Sequence, residues 1–584
     1  MRKLGVMVAC AAAACCALVA GPGMAAGAAA AAAGSRSGAT PHAGPGLLAG
    51  GGGRTWGTAR QIPGLAALNA GGIGVANSVS CASAGNCSVG GSYSDHSGVG
   101  QAFVAGEKAG AWRTAQEVPG TGAVNQGGAG VLSVSCASVG NCSAGGDYLL
   151  GRNTQAFVAN EVNGTWHTAL VVPGTVPQGS GPGSSVSTVS CTAAGYCGAG
   201  GYLEDDTTGG YDAFVADEKH GSWGSAHVVS GTGLFPQWVT SMSCTSAGNC
   251  SAGGSALDVS GLQVAFVVSE KNGVWGTARE VAAALSTGGN AGITSVSCAS
   301  AGNCGAGGSY VDSSRKTQVF VVSENNGVWG TAQEVAAALN TGGNAAVNSV
   351  SCPAPGSCAA GGSYAVGTKQ QAFVITENNG VWGTAREVAA ALNTAGLAAV
   401  NSVSCPAPGS CAAGGSYAVG TKSQAFVISE RNGTWQPPQE VAAALNTGGD
   451  ARVNSVSCPS VGSCAAAGDF FGAAGTEVFV VSGSIIQPTS TAMSLSTDRV
   501  TYGHEQSERI SVTVMARYSG TPTGTVTVKA GGTICSITLV SGKGSCKLAA
   551  RQLRPGTYHL IASYPGNHDF LGSASARKTL TVAS

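Results

Sequence analysis

Val347-Asn348-Ser349-Val350-Ser351-Cys352-Pro353-Ala354-Pro355-Gly356-Ser357-Cys358-Ala359-Ala360-Gly361-Gly362-Ser363-Tyr364 reads as two short strands around a turn. Val347 to Cys352 alternates in character and is rich in β-branched residues, as a strand should be. Pro353 to Ser357 is turn chemistry, and Cys358 opens a second strand toward the Gly-Gly pair. A five-residue loop sets Cys352 opposite Cys358, where a disulfide is geometrically reasonable. After a polar loop, Gln371-Ala372-Phe373-Val374-Ile375 forms a third strand. Asn379-Gly380 signals a type I′ hairpin, whose central residues both need positive φ. Val381-Trp382-Gly383-Thr384-Ala385 then forms a fourth strand. Glu387 to Leu392 is read as the connection to the next unit, with propensity for one helical turn.

This unit occurs eight times. Its cysteine pairs are Cys81/Cys87, Cys136/Cys142, Cys191/Cys197, Cys244/Cys250, Cys298/Cys304, Cys352/Cys358, Cys405/Cys411 and Cys458/Cys464. A fixed period of about 53 residues means a propeller, a solenoid or an array. Four antiparallel strands per unit describe a propeller blade. Small Ser and Ala in the first strand suit a crowded centre; Phe and Trp in the third and fourth suit packing between blades. Phe-centred third strands number eight, from Phe103 to Phe479, and so do the repeat tryptophans, from Trp56 to Trp435. Yet Trp56 precedes the first cysteine pair, and no such Trp follows Phe479. The chain begins with a fourth strand and ends the repeat with a third. Pairing the two would close an eighth blade and leave no open sheet edge. An open solenoid has no need of this split, so eight blades are favoured.

With 28 basic and 28 acidic residues, no net charge draws the chain to nucleic acid or an anionic membrane. The N-terminus reads as an export signal over residues 1–26: Arg2 and Lys3, an apolar run from Leu4, then small residues. Cys15 or Cys16 offers a lipidation alternative, but Ala12-Ala13-Ala14 lacks the usual Leu, and simple secretion is favoured. Residues 27–53 form an Ala/Gly-rich linker. No other apolar run is long enough to span a membrane. Of 21 cysteines, three fall in the signal. The other 18 are the eight pairs plus Cys535 and Cys546, and in an exported chain they read as disulfides. Zinc is the rival, but five intervening residues exceed the usual spacing and no histidine recurs beside the pairs.

The repeat region spans 54–484; a separate domain occupies 485–584. Tyr502-Gly503, Gly520-Thr521-Pro522-Thr523-Gly524-Thr525-Val526-Thr527-Val528, Leu553-Arg554-Pro555-Gly556-Thr557-Tyr558 and Tyr564-Pro565-Gly566-Asn567 closely resemble the bacterial Ig-like repeat domains of exported proteins. The resemblance covers about Thr489 to Val582 and implies a β-sandwich acting as a spacer or adhesion module. Cys535 and Cys546 would join neighbouring strands. More loosely, Arg54 to Ser484 resembles the Ser-Val-Ser-Cys-type propeller repeats of secreted proteins from high-GC Gram-positive bacteria, a resemblance that implies no activity.

Residues present in every blade are expected to build it. The Gly-x-Trp tryptophans are read as structural, with sugar stacking as the functional alternative. Glu107, Glu161, Glu218, Glu270, Glu324, Glu377 and Glu430 are read as exposed turn residues, with a ring of carboxylate ligands as the rival. Ser323-Glu324-Asn325-Asn326-Gly327-Val328-Trp329 resembles the Asp-box of sialidase-like propellers. One residue instead of two separates Gly from Trp, however, and Asn replaces the defining Asp. Sialidases also cluster arginines, whereas Arg60, Arg279 and Arg386 sit at equivalent positions spread around the ring. No His/Ser/Asp or paired-carboxylate arrangement is visible.

Departures from the repeat remain as ligand-binding candidates. Glu204-Asp205-Asp206, with Asp212, is an acidic cluster in a long loop; Ca²⁺ is conceivable there, a solvated loop the plainer reading. Trp238 is placed in a blade-to-blade connection, with core packing as its plain reading. The whole chain reads as all-β: an eight-bladed, disulfide-stapled propeller followed by an Ig-like sandwich. The function expected is a secreted, monomeric, non-enzymatic binder of an extracellular glycan or protein, with no cofactor and no metal. The rivals are a glycosidase- or sialidase-like enzyme and a purely structural surface or adhesion protein. Fold alone does not choose among them.

Overall fold

The computed structural model describes residues 56–176, 183–204, 210–483, 489–516, 521–567 and 570–584. The export signal expected over 1–26 and the linker over 27–53 lie outside the described residues. So do Asp205 and Asp206.

Blade 6 shows the plan. Its inner strand is Ala346–Ala354, its second Ser357–Val366 and its third Lys369–Asn378. The strands run further into the cysteine loop than the sequence suggests, so Ala354 pairs with Ser357 and only Pro355-Gly356 turns. The fourth strand comes in two pieces. Val381–Trp382 closes the Asn379-Gly380 hairpin, and Arg386–Val388 pairs further along the same third strand. The stretch read as pure connection therefore supplies half of the outer strand. Asn379 and Gly380 both have positive φ, 52° and 78°, as a type I′ turn requires. After Val388 the chain makes one helical turn, with Asn393 N–H donating to the Ala389 carbonyl (3.0 Å).

Seven sheets repeat this order, from Val75 to Val441. The eighth is shared by the two ends of the repeat region. Ala451–Ser460, Ser463–Gly472 and Gly475–Gly483 are completed by Arg60–Gln61, which pairs with Val480 and Phe479. Trp56 bridges to Gly483.

A propeller's inner strands are sheet edges, so some of their N–H groups have no partner within the blade. Serine hydroxyls of the preceding blade supply the partners. Val350 N–H donates to Ser295 and Cys352 N–H to Ser297; Val403 N–H donates to Ser349 and Cys405 N–H to Ser351. Two such bonds, of 2.9–3.2 Å, join every pair of neighbouring blades, with Thr188 in place of one serine. The ring closes with Val79 N–H on Ser455 and Cys81 N–H on Ser457 (both 3.0 Å), and with Asn454 Nδ2 on the Ala76 carbonyl (2.9 Å). The Ser-x-Ser pattern is thus the device that satisfies an edge.

The Gly-Gly pair has a packing cause. A Cβ on Gly361 would stand 2.5 Å from Val400 of the next blade, and one on Gly362 only 1.8 Å from the Ala346 carbonyl oxygen. Phenylalanines of the third strands are fully buried in the layers between.

All eight repeat cysteine pairs are bonded across the inner hairpins: Cys81–Cys87, Cys136–Cys142, Cys191–Cys197, Cys244–Cys250, Cys298–Cys304, Cys352–Cys358, Cys405–Cys411 and Cys458–Cys464. Their Cα–Cα distances are 3.9–4.1 Å. A turn of only a few residues suggests a bond at the surface, yet the second cysteine of each pair is buried. Cys304 is 4% exposed and Cys411 2%. The cause is the neighbouring blade, which the hairpin alone does not reveal: Cys304 Sγ lies 3.4 Å from Ser251 Oγ of the blade before it. Cys304 and Cys411 also belong to the apolar clusters that fill the ring. Cys304 and Cys411 are therefore core residues as well as staples.

The C-terminal domain is a sandwich. Thr489–Leu495, Arg509–Ala516 and Lys543–Lys547 form one sheet. Arg499–Thr501, Gly524–Ala530, Gly532–Leu539, Gly556–Gly566, Leu571–Ala574 and Lys578–Ala583 form the other. Ile510, Val512, Val526, Leu560 and Leu580 fill its core. Cys535 and Cys546 are bonded, but their strands, though consecutive, belong to different sheets. The bond staples the two layers together.

Candidate binding site where the repeat breaks

The seven repeat glutamates are not exposed turn residues. All are buried, from Glu430 at 0% to Glu107 and Glu161 at 7% exposed. Each lies opposite the hairpin tryptophan of its own blade (Glu377 opposite Trp382, for example) and faces the preceding blade. There a polar side chain on the neighbouring third strand links the two. Trp382 Nε1 donates to Ser323 Oγ (3.1 Å), which donates to Glu377 (2.7 Å). Trp329, Ser269 and Glu324 repeat the relay, as do Trp435, Thr376 and Glu430, and Trp223, Asn160 and Glu218. Burial raises the pKa of all seven carboxyls, and that of Glu430 to about 7. In blade 8, Gly483 stands at the glutamate position, because the Trp56 ring occupies the space: a Cβ there would lie 2.3 Å from the indole.

The relay is complete at these four interfaces, and at two others the linking residue itself has changed. Between blades 1 and 2 the linking residue is Gly106, and Trp166 Nε1 is buried without a partner. Between blades 3 and 4 it is Asp217, and Trp275 Nε1 is likewise unpartnered. Burial and the adjacent Asp217 push Glu270 up to about 7, against the opposing pull of Lys219. The repeat pattern alone hides this carboxylate pair, because its members lie 53 residues apart and meet only across blades.

The third departure is aromatic, and it gathers two of the sequence candidates. Trp238 lies within the inner strand of blade 4, Leu234–Ser246, opposite Ser255, and not in a connection. The reason is that this strand starts early: residues that link blades elsewhere are here drawn into the sheet. Trp238 packs edge-on against Tyr211 (centroids 5.5 Å apart, 88°), and Tyr211 against Tyr202 (5.1 Å, 87°). Gln237 Nε2 donates to the Tyr211 carbonyl (3.2 Å), tying blade 4 to blade 3. All three rings are half-buried. Glu204 is not in a solvated loop: it ends the second strand of blade 3, is 8% exposed, pairs with Tyr211, and its Oε2 has no partner. Asp212 lies in the third strand, opposite Leu203. Phe235, Val259 and Leu262, all exposed, belong to the same end of blade 4.

Tyr202 and Tyr211 escaped the sequence reading, though a signal existed. Most blades read Gly-Gly-Ser-Tyr or Gly-Gly-Asp-Tyr, whereas blade 3 reads Gly200-Gly201-Tyr202-Leu203. A one-residue displacement in a strand moves a side chain to the other face. The usual tyrosine packs on its own blade's phenylalanine, as Tyr364 does on Phe373. Displaced, Tyr202 meets Tyr211 instead.

Residues 493–583 match the bacterial Ig-like domain (group 3) family. No curated protein matches the chain. Among solved structures, a protein of unknown function from Dyadobacter fermentans is 11% identical, with 56% of this chain covering 98% of that one at a TM-score of 0.34. A PL25 ulvan lyase bound to a glucuronate–sulfated rhamnose unit is 10% identical (59% of this chain, 90% of that chain, TM-score 0.36). A neuraminidase-like protein of subtype N11 from influenza A/flat-faced bat/Peru/033/2010 is 12% identical (57%, 96%, 0.32). Likenesses this weak say nothing of function. The ring rests on its own hydrogen bonds.

Proposed function

We propose that this chain is an exported, monomeric, non-enzymatic binding protein that holds an extracellular glycan on the aromatic patch between blades 3 and 4. The observation that carries this reading is the convergence of Tyr202, Tyr211 and Trp238, residues without counterparts in the other blades, at one half-exposed spot. Aromatic faces stack on the apolar faces of sugar rings. Nine disulfides suit an oxidising compartment, and among the described residues no helix is long and apolar enough to cross a membrane. The balanced charge favours neither nucleic acid nor an anionic surface.

The enzymatic alternative has one specific observation behind it, the Asp217–Glu270 pair. Glu270 is 4% exposed and neither of its carboxylate oxygens has a hydrogen-bond partner, so it is buried between blades instead of facing a substrate cleft. The pair also lies at the cysteine end of the blades, away from the aromatic rings. A glycan array with the purified full chain tests the reading. Specific binding lost in Trp238→Ala and Tyr211→Ala is expected, and wild-type protein that binds no glycan, or cleaves one, would overturn it.

A further inference from the structure

The side chain at the linking position between third strands is Asn160, Asp217, Ser269, Ser323, Thr376, Ser429 or Ser482 at seven interfaces. Between blades 1 and 2 that side chain is absent, because the residue is Gly106. What remains is a cavity of about 220 Å³ at the cysteine end of the two blades. Ser88, Glu107, Lys108, Arg113, Glu161 and Asn163 are among its walls. Glu107 and Glu161 are each 7% exposed, against 0–4% for the other five repeat glutamates, so this gap is what opens them. Ser88 Oγ donates to Glu161 Oε2 (3.3 Å). Across the opening stand the exposed Lys108 and Arg113. Arg113 is itself a departure: blades 3 to 6 carry Gly224, Gly276, Gly330 and Gly383 at its position. Its Nη1 lies 3.5 Å from the Gly164 carbonyl, reaching over the cavity toward blade 2.

Two carboxyls and two cations balance, so the cavity offers acceptors and donors with no net charge. An anion would meet the glutamates, and a cation would meet Lys108 and Arg113. A neutral molecule carrying several hydroxyls can donate to the first pair and accept from the second. By volume the space equals about seven waters of bulk liquid, below the roughly 300 Å³ at which drug-sized pockets begin.

We propose that the Gly106 cavity is a second binding site, for a single neutral sugar ring or polyol. It is separate from the aromatic patch, which lies at the other end of the blades and between a different pair. The serine found at equivalent interfaces provides the control. Gly106 has no left-handed φ, and a Cβ there meets nothing nearer than Glu161 Oε1 at 3.7 Å. Gly106→Ser should therefore fold, rebuild the Trp166–Ser–Glu161 relay, take up the Glu161 acceptor and narrow the cavity.

Saturation-transfer NMR on the full chain with D-glucose, N-acetyl-D-glucosamine and myo-inositol tests this directly. At least one should receive saturation from the wild type. The signal should vanish in Gly106→Ser, weaken in Arg113→Gly and survive in Trp238→Ala. Absence of transfer from all three probes overturns the proposal, as does transfer that persists in Gly106→Ser. Loss in Trp238→Ala would do the same, by moving the binding to the aromatic patch. Because the array experiment reads Trp238 and this one reads Gly106, either site can fail without the other.

Discussion

The interfaces joining blades 4 to 7 and those joining blade 1 to 2 and blade 3 to 4 share one backbone plan and differ at one linking side chain. In the first group a serine or threonine hydroxyl satisfies a buried indole on one side and a buried carboxyl on the other. In the second group Gly106 leaves a gap, and Asp217 sets a second carboxyl against the first. The sheets, disulfides and serine ladder are the same in both. The ring tolerates a lost relay because closure is carried nearer the axis, so the outer layer between blades is where this scaffold can change without coming apart.

Breaking the closure should have the largest effect. Trp56 is 2% exposed, donates to Ser429 (3.2 Å), and accepts from Gln439 at its carbonyl (3.1 Å). Trp56→Ala removes the buried indole that ties the chain's start to blade 7, and should cost about 3–5 kcal/mol, read by denaturant unfolding. The same loss from Trp56→Phe, which keeps most of the packing, would assign the effect to the hydrogen bond. Next comes the ladder itself. Ser349→Ala leaves Val403 N–H, now bonded at 2.9 Å, without its acceptor. An orphaned buried donor costs about 1–3 kcal/mol, and an unchanged unfolding midpoint would show that water replaces the hydroxyl.

The smallest effect repairs an interface. Asp217→Ser should rebuild the relay between Trp275 and Glu270 and add about 1 kcal/mol, the net worth of a typical hydrogen bond. It should also flatten the pH dependence of stability. Glu270 and Glu430 are both raised from 4.5 to about 7 in the folded chain, Glu270 by burial and then by Asp217, Glu430 by burial. A carboxyl whose folded pKa exceeds its unfolded one stabilises fully below the unfolded value, and that contribution is lost as pH rises through the folded value. The wild type should therefore be less stable at pH 8 than at pH 5, and Asp217→Ser should show a smaller difference. An equal difference in both would remove Asp217 from the cause.

Much of this was legible in the chain. The spacing of cysteines, the Asn-Gly hairpins and the displaced start at Trp56 carried the blade count, the turn type and the closure, because each is a local pattern repeated at a fixed interval. The repeat glutamates were misread because polar residues beside a turn are usually solvated; nothing within one blade reveals the indole and hydroxyl that a neighbour brings. The burial of Cys304 and Cys411 is hidden for the same reason, although their bonding partners were plain. Trp238 was noticed as an exception, yet its place in a strand depends on how far the blade 4 sheet extends.

What the sequence alone determined, then, is everything set by periodicity: strand order, disulfide partners and the split eighth blade. Tertiary structure alone decided which departures matter. Gly106, Asp217 and Tyr202 are ordinary letters until ring closure sets one blade's third strand against the next. Their consequences are a gap, a buried carboxyl pair and an aromatic patch, which arise between residues far apart along the chain that only the packed ring brings together.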